Sequence, residues 1–248
     1  LGDAGMTDPQ QETLINYIRG GNDDPNCTDG SLATTCNTWN TWPHFATEHS
    51  KPAIVTYDAS TAPPVQYLYY VQNNGMLTAI DANTGKEKWS FLIEEALPQL
   101  STMQANNPGP EIYVADGSPA VFFDDIYKTD GTPGANGKVD PGDRVWLFFG
   151  LRRGGRAMYA IDITDKDAPA FKWKITANSG TGKVCVGTAA CTTVPAFDEL
   201  GQTWSTPSVA KLKKFPNVGD PPALIFGGGY DADAEDTVPA EFNQARSM

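Results

Sequence analysis

One recurrence constrains this 248-residue chain more than any other feature. The string SKPAIVTYD (50–58) leads into VQYLYYVQNNG (65–75), MLTAIDANTG (76–85) and KEKWSF (86–91). SPAVFFDDIY (118–127) leads in the same way into RVWLFFGLRRGG (144–155), AMYAIDITD (157–165) and FKWKI (171–175). A third round opens with STPSVAKL (205–212) and ALIFGGGYD (223–231). Each piece is short, rich in Val, Ile, Tyr, Phe and Trp, and bounded by Gly, Asn, Asp or Pro, which is the pattern of β-strands. Four strands per round predict an all-β fold, a β-propeller of four-stranded antiparallel blades. The opening prolines Pro52 and Pro119 lie 67 residues apart, and Pro119 and Pro207 lie 88 apart, so insertions fall between strands. Variable chemistry then belongs to the loops on the propeller faces.

This reading divides the chain at about residue 50. Residues 1–50 hold a helix and a disulfide-pinned loop; residues 51–248 form a partial propeller, with blade 1 over about 51–92, blade 2 over about 118–176 and the start of blade 3 over about 204–231. Because propellers close with four to eight blades, about two and a half blades predict a longer protein whose missing C-terminal blades cover the open sheet edges. No leader pattern opens the chain at Leu1, which agrees with a processed or excised segment. The helix is expected after Thr7-Asp8-Pro9, capped by Thr7 or Asp8, with Leu14, Ile15 and Ile18 as its apolar stripe and Gly20-Gly21 as its stop.

Composition excludes several classes. With 30 Asp+Glu against 18 Lys+Arg, a net charge of -12 and no broad basic surface, the chain is no nucleic-acid binder. No apolar run reaches the roughly 18 residues of a membrane span. The four cysteines form two local pairs, Cys27 with Cys36 and Cys185 with Cys191, read as disulfides of an oxidising compartment rather than as zinc ligands.

The string AIDANTGKEKW (79–89) has the form of the tryptophan-docking repeat of quinoprotein-type propellers, and its physics is structural. Asp81 and Thr84-Gly85 close a tight turn, while Trp89 packs against the next blade. Asp162 and Trp173 take the same places in blade 2, so the two tryptophans are expected at equivalent outermost positions of neighbouring sheets.

Further strings occur in a fixed order: LINYIRGG, Trp42, EHSKP (48–52), DGSPAV (116–121), DRVWLFFGLRRGGRAMYAIDIT (143–164), LGQTWSTPSV (200–209) and LIFGGGYD (224–231). Together they resemble the propeller domain of the PilC/PilY family of type IV pilus biogenesis factors and tip adhesins. The resemblance implies a non-enzymatic binding module, exported through the periplasm to the pilus tip, outer membrane or cell surface. Its implied partners are pilus subunits (minor pilins) and a host or abiotic surface. It also implies calcium as a regulating ion, with no organic cofactor.

The insertion TDGTPGANGKVDPGDRVW (129–146) is the candidate calcium loop. Placing Asn136 at the fifth position of a D-x-[DN]-x-[DN]-G loop puts Gly137 at the sixth. Lys138 then gives its carbonyl, Val139 the apolar anchor, and Asp140 and Asp143 the ninth and twelfth positions. Thr132 and Gly134 occupy the first and third positions, and Asp130 is displaced by two residues. Two readings stay open: a cation held by Asp130, Asn136, Lys138, Asp140 and Asp143, or a polar hairpin built on Asn136-Gly137 turn chemistry.

Arg152, Arg153 and Arg156 form the dense basic cluster, read as structural ion pairs, with a carboxylate or phosphate clamp as the other option. His44 and His49 lack the surroundings of a catalytic site, and His49 is read as a hydrogen-bonded turn residue. Two alternative functions remain: a dehydrogenase using pyrroloquinoline quinone, whose family resemblance would call for vicinal cysteines, and an outer-membrane assembly scaffold propeller.

Overall fold

The computed structural model describes residues 6–18, 45–105, 111–178, 180–211 and 222–231. Cys27, Cys36, Trp42, His44 and the Gly20-Gly21 stop lie outside the described residues, as does the acidic run after Asp231. The strands are β1 (Ala53–Asp58), β2 (Val65–Val71), β3 (Met76–Asp81), β4 (Glu87–Leu92), β5 (Ala120–Asp124), β6 (Arg144–Gly150), β7 (Ala157–Asp162), β8 (Ala170–Asn178), β9 (Thr181–Val186), β10 (Thr192–Thr193), β11 (Ser208–Lys211) and β12 (Pro222–Ile225). They form three antiparallel sheets: β1-β2-β3-β4, then β5 to β10 in sequence order, then β11-β12. The all-β, antiparallel expectation holds.

Register shows that the repeat is structural. Tyr69 pairs Ala79 and Ala79 pairs Trp89 in the first sheet; Phe148 pairs Ala160 and Ala160 pairs Trp173 in the second. A register shift follows at the same point in both, between Ala79 and Ile80 and between Ala160 and Ile161. Asp81 accepts from the backbone N–H groups of Asn83 and Thr84, an Asx turn that Gly85 completes at φ +69°. Asp162 plays the matching part by accepting from Thr164 N. Trp173 differs from the expectation in one respect: β9 pairs along β8, so this tryptophan is not on the outermost strand of its sheet. The segment TGKVCV (181–186) was hidden by its neighbouring Gly, Thr and Ala residues, and it extends the second sheet well past residue 176. The Cys185–Cys191 disulfide closes its hairpin.

Strand alternation sends one row of each sheet backward and the other forward. Val55, Tyr69 and Ala79 of the first sheet form one core with Leu147 and Ile161 of the second, with Trp89 and Val121 packed against it. Phe122, Phe148 and Ala160 on the other side of the second sheet pack with Trp173 and with Val209 and Leu224 of the third. The two outward ends of this stack remain open: Ile54 is 61% exposed and Ile225 55% exposed. Polar ties supplement the packing. Tyr57 donates to Ile163 O at 2.6 Å, Trp89 Nε1 donates to Lys166 O at 2.7 Å, and Tyr67 bonds Asp167.

Helix α1 (Asp8–Ile18) starts as expected: Thr7 N and Thr7 Oγ1 both donate to Gln10 Oε1. Its inward stripe is Leu14, Tyr17 and Ile18, whereas Ile15 is 38% exposed, a correction to the predicted stripe. The stripe meets a second helix, α2 (Leu100–Ala105), which continues a 3-10 turn over Glu94–Gln99. Pro98 masked this element in the sequence, although buried Ala96, Leu100 and Met103 carry a helical spacing.

Candidate functional site

Turns alternate between the two ends of an antiparallel meander, so each sheet carries two loop surfaces. At one end lies the insertion between β5 and β6. Its anchor is a residue the sequence reasoning missed: Asp125, directly after β5, accepts from Asn136 N at 3.1 Å and from Gly137 N at 2.8 Å. The acidic doublet Asp124-Asp125 at the mouth of the loop was the available signal. Asp143 Oδ1 accepts from Ile126 N and Tyr127 N, and its Oδ2 accepts from Asp140 N. Asn136 Nδ2 donates to Asp140 Oδ2 at 2.7 Å, and Asn136 Oδ1 accepts from Lys138 N.

Of the predicted cation residues, the structure therefore gathers Asn136, Asp140 and Asp143, with Lys138 beside them. Asp130 stands apart in its own turn, accepting from Thr132 N and Oγ1, and these bonds hold its carboxyl below the usual carboxylate range. Asp140 and Asp143 are buried. Among the described residues no three or more His, Cys, Asp or Glu side chains are grouped to hold a metal. Calcium takes six to eight oxygens, and both oxygens of Asp143 already accept from backbone N–H groups. The donor set as arranged falls short of a full calcium shell.

The loop also joins two sheets. Ala59 N donates to Gly137 O, Val139 N donates to Tyr57 O at 3.0 Å, and Lys138 Nζ stands 3.3 Å from Asp58 Oδ2. Residues 137–139 thus extend the end of β1, as the hairpin reading allows.

At the opposite end, the β6–β7 turn (Leu151–Arg156) carries the arginines. Thr203, from the strand linker ahead of β11, binds this turn with three groups, its N–H donating to Gly155 O at 3.2 Å. Its Oγ1 accepts from Leu151 N and donates to Ala157 O, and its carbonyl accepts from Arg152 N. Arg156 stands 3.6 Å from buried Asp231, in line with the structural ion-pair reading. Arg152 lies over the Trp204 ring at 4.9 Å, and Arg153 over Tyr113 at 4.6 Å. Hydrogen bonds to Glu111 and Glu48 push the Tyr113 phenol up to about 12. His49 is the expected turn residue: its N and Nδ1 both meet Asp116, the latter at 2.7 Å. Gly154, Gly155 and Arg156 of this turn, with Glu95, Thr176, Ala177 and Asn178, line an open cavity of about 380 Å³.

The fold and these loops define a class first: a stack of antiparallel, blade-like sheets whose polar chemistry sits in linkers and insertions at the two ends. No family model matches the chain. It is 36% identical over 121 residues to a type IV pilus biogenesis factor PilY1 homolog of Xylella fastidiosa, covering 49% of this chain and 9% of that protein. It is 25% identical over 171 residues to the type IV pilus biogenesis factor PilY1 of Pseudomonas aeruginosa, covering 67% of this chain and 12% of that protein. A solved structure, the C-terminal domain of Pseudomonas aeruginosa PilY1, aligns with a TM-score of 0.40 at 23% identity, covering 66% of this chain and 25% of that one. Both sequence relatives are named type IV pilus biogenesis factors, and the chain is similar to a short part of each. The chain spans about a tenth of the length of these relatives. Among the described residues no helix is long and apolar enough to cross a membrane.

Proposed function

We propose that this chain is a non-enzymatic binding module of a type IV pilus biogenesis and adhesion factor, exported through the periplasm and displayed at the pilus tip or cell surface. The observation that carries the reading is the 36% identity to the Xylella fastidiosa factor over 121 residues. Rigid sheets held by aromatic packing suit the role, because they fix the loops at both ends against partners. Those partners are minor pilins on one side and a host or abiotic surface on the other. Further blades of the same protein cover the open faces at Ile54 and Ile225. The test uses the full-length protein in its own host. Replacing Trp89 by Ala, which unseats the sheet-to-sheet contact, is expected to reduce surface pili and twitching motility; unchanged piliation with the variant protein present but unfolded would reject the reading.

Calcium at the β5–β6 insertion is the second part of the proposal. Asn136, Asp140 and Asp143, with Asp125 beside them, support it, and the incomplete oxygen set predicts a weak site, with Kd on the order of 10⁻⁴–10⁻³ M. Calorimetric titration of the full chain should show binding heat that Asp140→Ala removes. No heat, or heat that survives the substitution, removes calcium from the account.

A further inference from the structure

Asn-Gly occurs twice in the chain, at 74–75 and at 136–137, and the two copies share one local geometry. In each the asparagine Oδ1 accepts from the backbone N–H two residues on, Met76 N at 3.1 Å in the first and Lys138 N at 2.9 Å in the second. In each the glycine takes a positive φ, +87° at Gly75 and +75° at Gly137. A side-chain turn of this kind folds the carboxamide over the next peptide group. The N–H that meets Oδ1 also stands where negative charge develops if the carboxamide carbon is attacked.

The surroundings of the two copies differ. Asn74 is 3% exposed, and a Cβ on Gly75 would stand 2.8 Å from Ala96 Cβ and 2.9 Å from Val114 Cγ1, so the packing leaves no room for a carbon beside it to become tetrahedral. Gly75 N donates to the carbonyl of Gln72, which is no base. Asn136 is exposed, and the atom nearest to a Cβ on Gly137 is Ala59 Cβ at 3.7 Å, an ordinary contact. Gly137 N donates to Asp125 Oδ2 at 2.8 Å. A carboxylate thus holds the proton that this nitrogen must give up before it can act as a nucleophile.

We propose that Asn136 is a site of self-modification, where the chain converts its own asparagine to aspartate or isoaspartate with Asp125 as the base and water as the co-reactant. The Gly137 nitrogen attacks Asn136 Cγ while its proton passes to Asp125 Oδ2. The Cγ–Nδ2 bond then breaks, Nδ2 leaves as ammonia with that proton, and a five-membered succinimide ring remains. Water opens the ring at one of its two carbonyl–nitrogen bonds: at Cγ it yields aspartate, at the main-chain carbonyl it yields isoaspartate. Amide and water become acid and ammonia, Asp125 is a carboxylate again, and nothing is oxidised or reduced. The product reverses a contact. Where Asn136 Nδ2 donated to Asp140 Oδ2, a carboxylate now faces the buried Asp140 carboxylate, and the two repel. The isoaspartate branch also lengthens the main chain next to Gly137 O and Val139 N, the groups that bind the end of β1. Conversion therefore loosens the loop from β1, slowly and in one direction. This goes beyond the pilus reading and rests neither on it nor on bound calcium.

The test is peptide mapping by mass spectrometry of the full chain aged at neutral pH, with Asn74 as the internal control. In the folded protein Asn136 should convert at least about tenfold faster than Asn74, because reaction at a packed site waits for local opening. In urea, where both copies lose their surroundings, the two rates should agree within about twofold. Asp125→Asn keeps an acceptor for Gly137 N and removes the base, and it should slow conversion at Asn136 about tenfold or more. Hydrogen exchange at Val139 N, which donates to Tyr57 O, should be faster in aged than in fresh protein. No native conversion at Asn136, or native conversion no faster there than at Asn74, overturns the proposal. An unchanged or higher rate in Asp125→Asn overturns the role of Asp125, and unchanged exchange at Val139 overturns the loosening. The comparison of native with urea-treated protein uses the unaltered sequence, so it decides even where Asp125→Asn fails to fold.

Discussion

The β2–β3 turn and the β6–β7 turn occupy the same place in successive sheets, and they are built from opposite chemistry. In the first, Gln72, Asn73 and Asn74 are each 3% exposed and work as neutral connectors. Asn73 N donates to Ala46 O, Val114 N donates to Asn73 O, and Gln72 Oε1 accepts from Phe45 N. In the second, Thr203 makes the same kind of linker contact, and the turn beyond it presents Arg153 to solvent. The same pairs of positions differ in size. Val71 and Gly150 are equivalent by register, and so are Ser50 and Gly117 by their distance from β1 and β5. In the first sheet the Ser50 hydroxyl accepts from Val71 N at 2.9 Å; in the second, glycine meets glycine with no side chain between. The difference teaches that one turn has been closed for structure, while the other has been thinned at its base so that a linker and two arginines fit above it.

Exchanging the parts tests that comparison most severely. A Cβ on Gly117 would lie 2.0 Å from Gly150 O, so Gly117→Ser, which copies the first sheet into the second, should cost about 4 kcal/mol or prevent folding. Urea unfolding measures this, and a loss below about 1 kcal/mol would mean that the close approach is not there.

The next effect compares the two tryptophans. Trp89→Ala should cost about 3 kcal/mol, since it removes a half-buried ring's contact with Tyr69 and the bond to Lys166 O. Trp173→Ala should cost less, about 2 kcal/mol, because its sheet keeps the β8–β9 pairing and no such indole hydrogen bond joins it to another of the described residues. Equal losses would remove the distinction between the two sheets.

This contrast also marks what could be read in advance. The Ala-Ile-Asp and Lys-Trp strings disclosed which positions of the two sheets are equivalent, because strand patterning and Asx turns are local properties, whereas the bulge after Ala79 and Ala160 is seen only in the pairing. The β9–β10 hairpin was not legible, since Thr, Gly and Ala carry weak strand preference and the pairing is supplied by β8. Asp125 was read as the tail of a strand because its partners, Asn136 N and Gly137 N, come from the far side of an irregular loop. Arg152, Arg153 and Trp204 were each visible, but the stacking that joins them depends on a linker some fifty residues away in sequence.

A smaller effect distinguishes the serines. Ser50→Ala leaves Val71 N buried without its acceptor and should cost about 1–3 kcal/mol. Ser205 Oγ accepts from Gly227 N at a more exposed place, so Ser205→Ala should cost less than about 1 kcal/mol.

The mildest prediction concerns pH. Burial, and then neighbouring Tyr69 for Tyr57 and Glu95 for Tyr159, push both phenols well above their ordinary range. A raised folded-state value means that the native state holds the proton more tightly than the unfolded chain. Their contribution is therefore complete below about pH 10 and is lost as pH rises above it, by about 1.4 kcal/mol per pH unit for each tyrosine. Urea midpoints measured on either side of pH 10 should fall with alkalinity, and Tyr159→Phe should reduce the slope.

The central claim is that the two tryptophan-bearing strands are repeats of one sheet unit, with function confined to what is attached to them. Nuclear Overhauser contacts across strands test it most directly. The account predicts contacts joining Ala79 to Trp89 and Ala160 to Trp173, together with a Trp89 indole proton close to Lys166. Backbone contacts that pair the Trp173 main chain with any strand other than β7 and β9, or a Trp89 indole remote from Lys166, would contradict it.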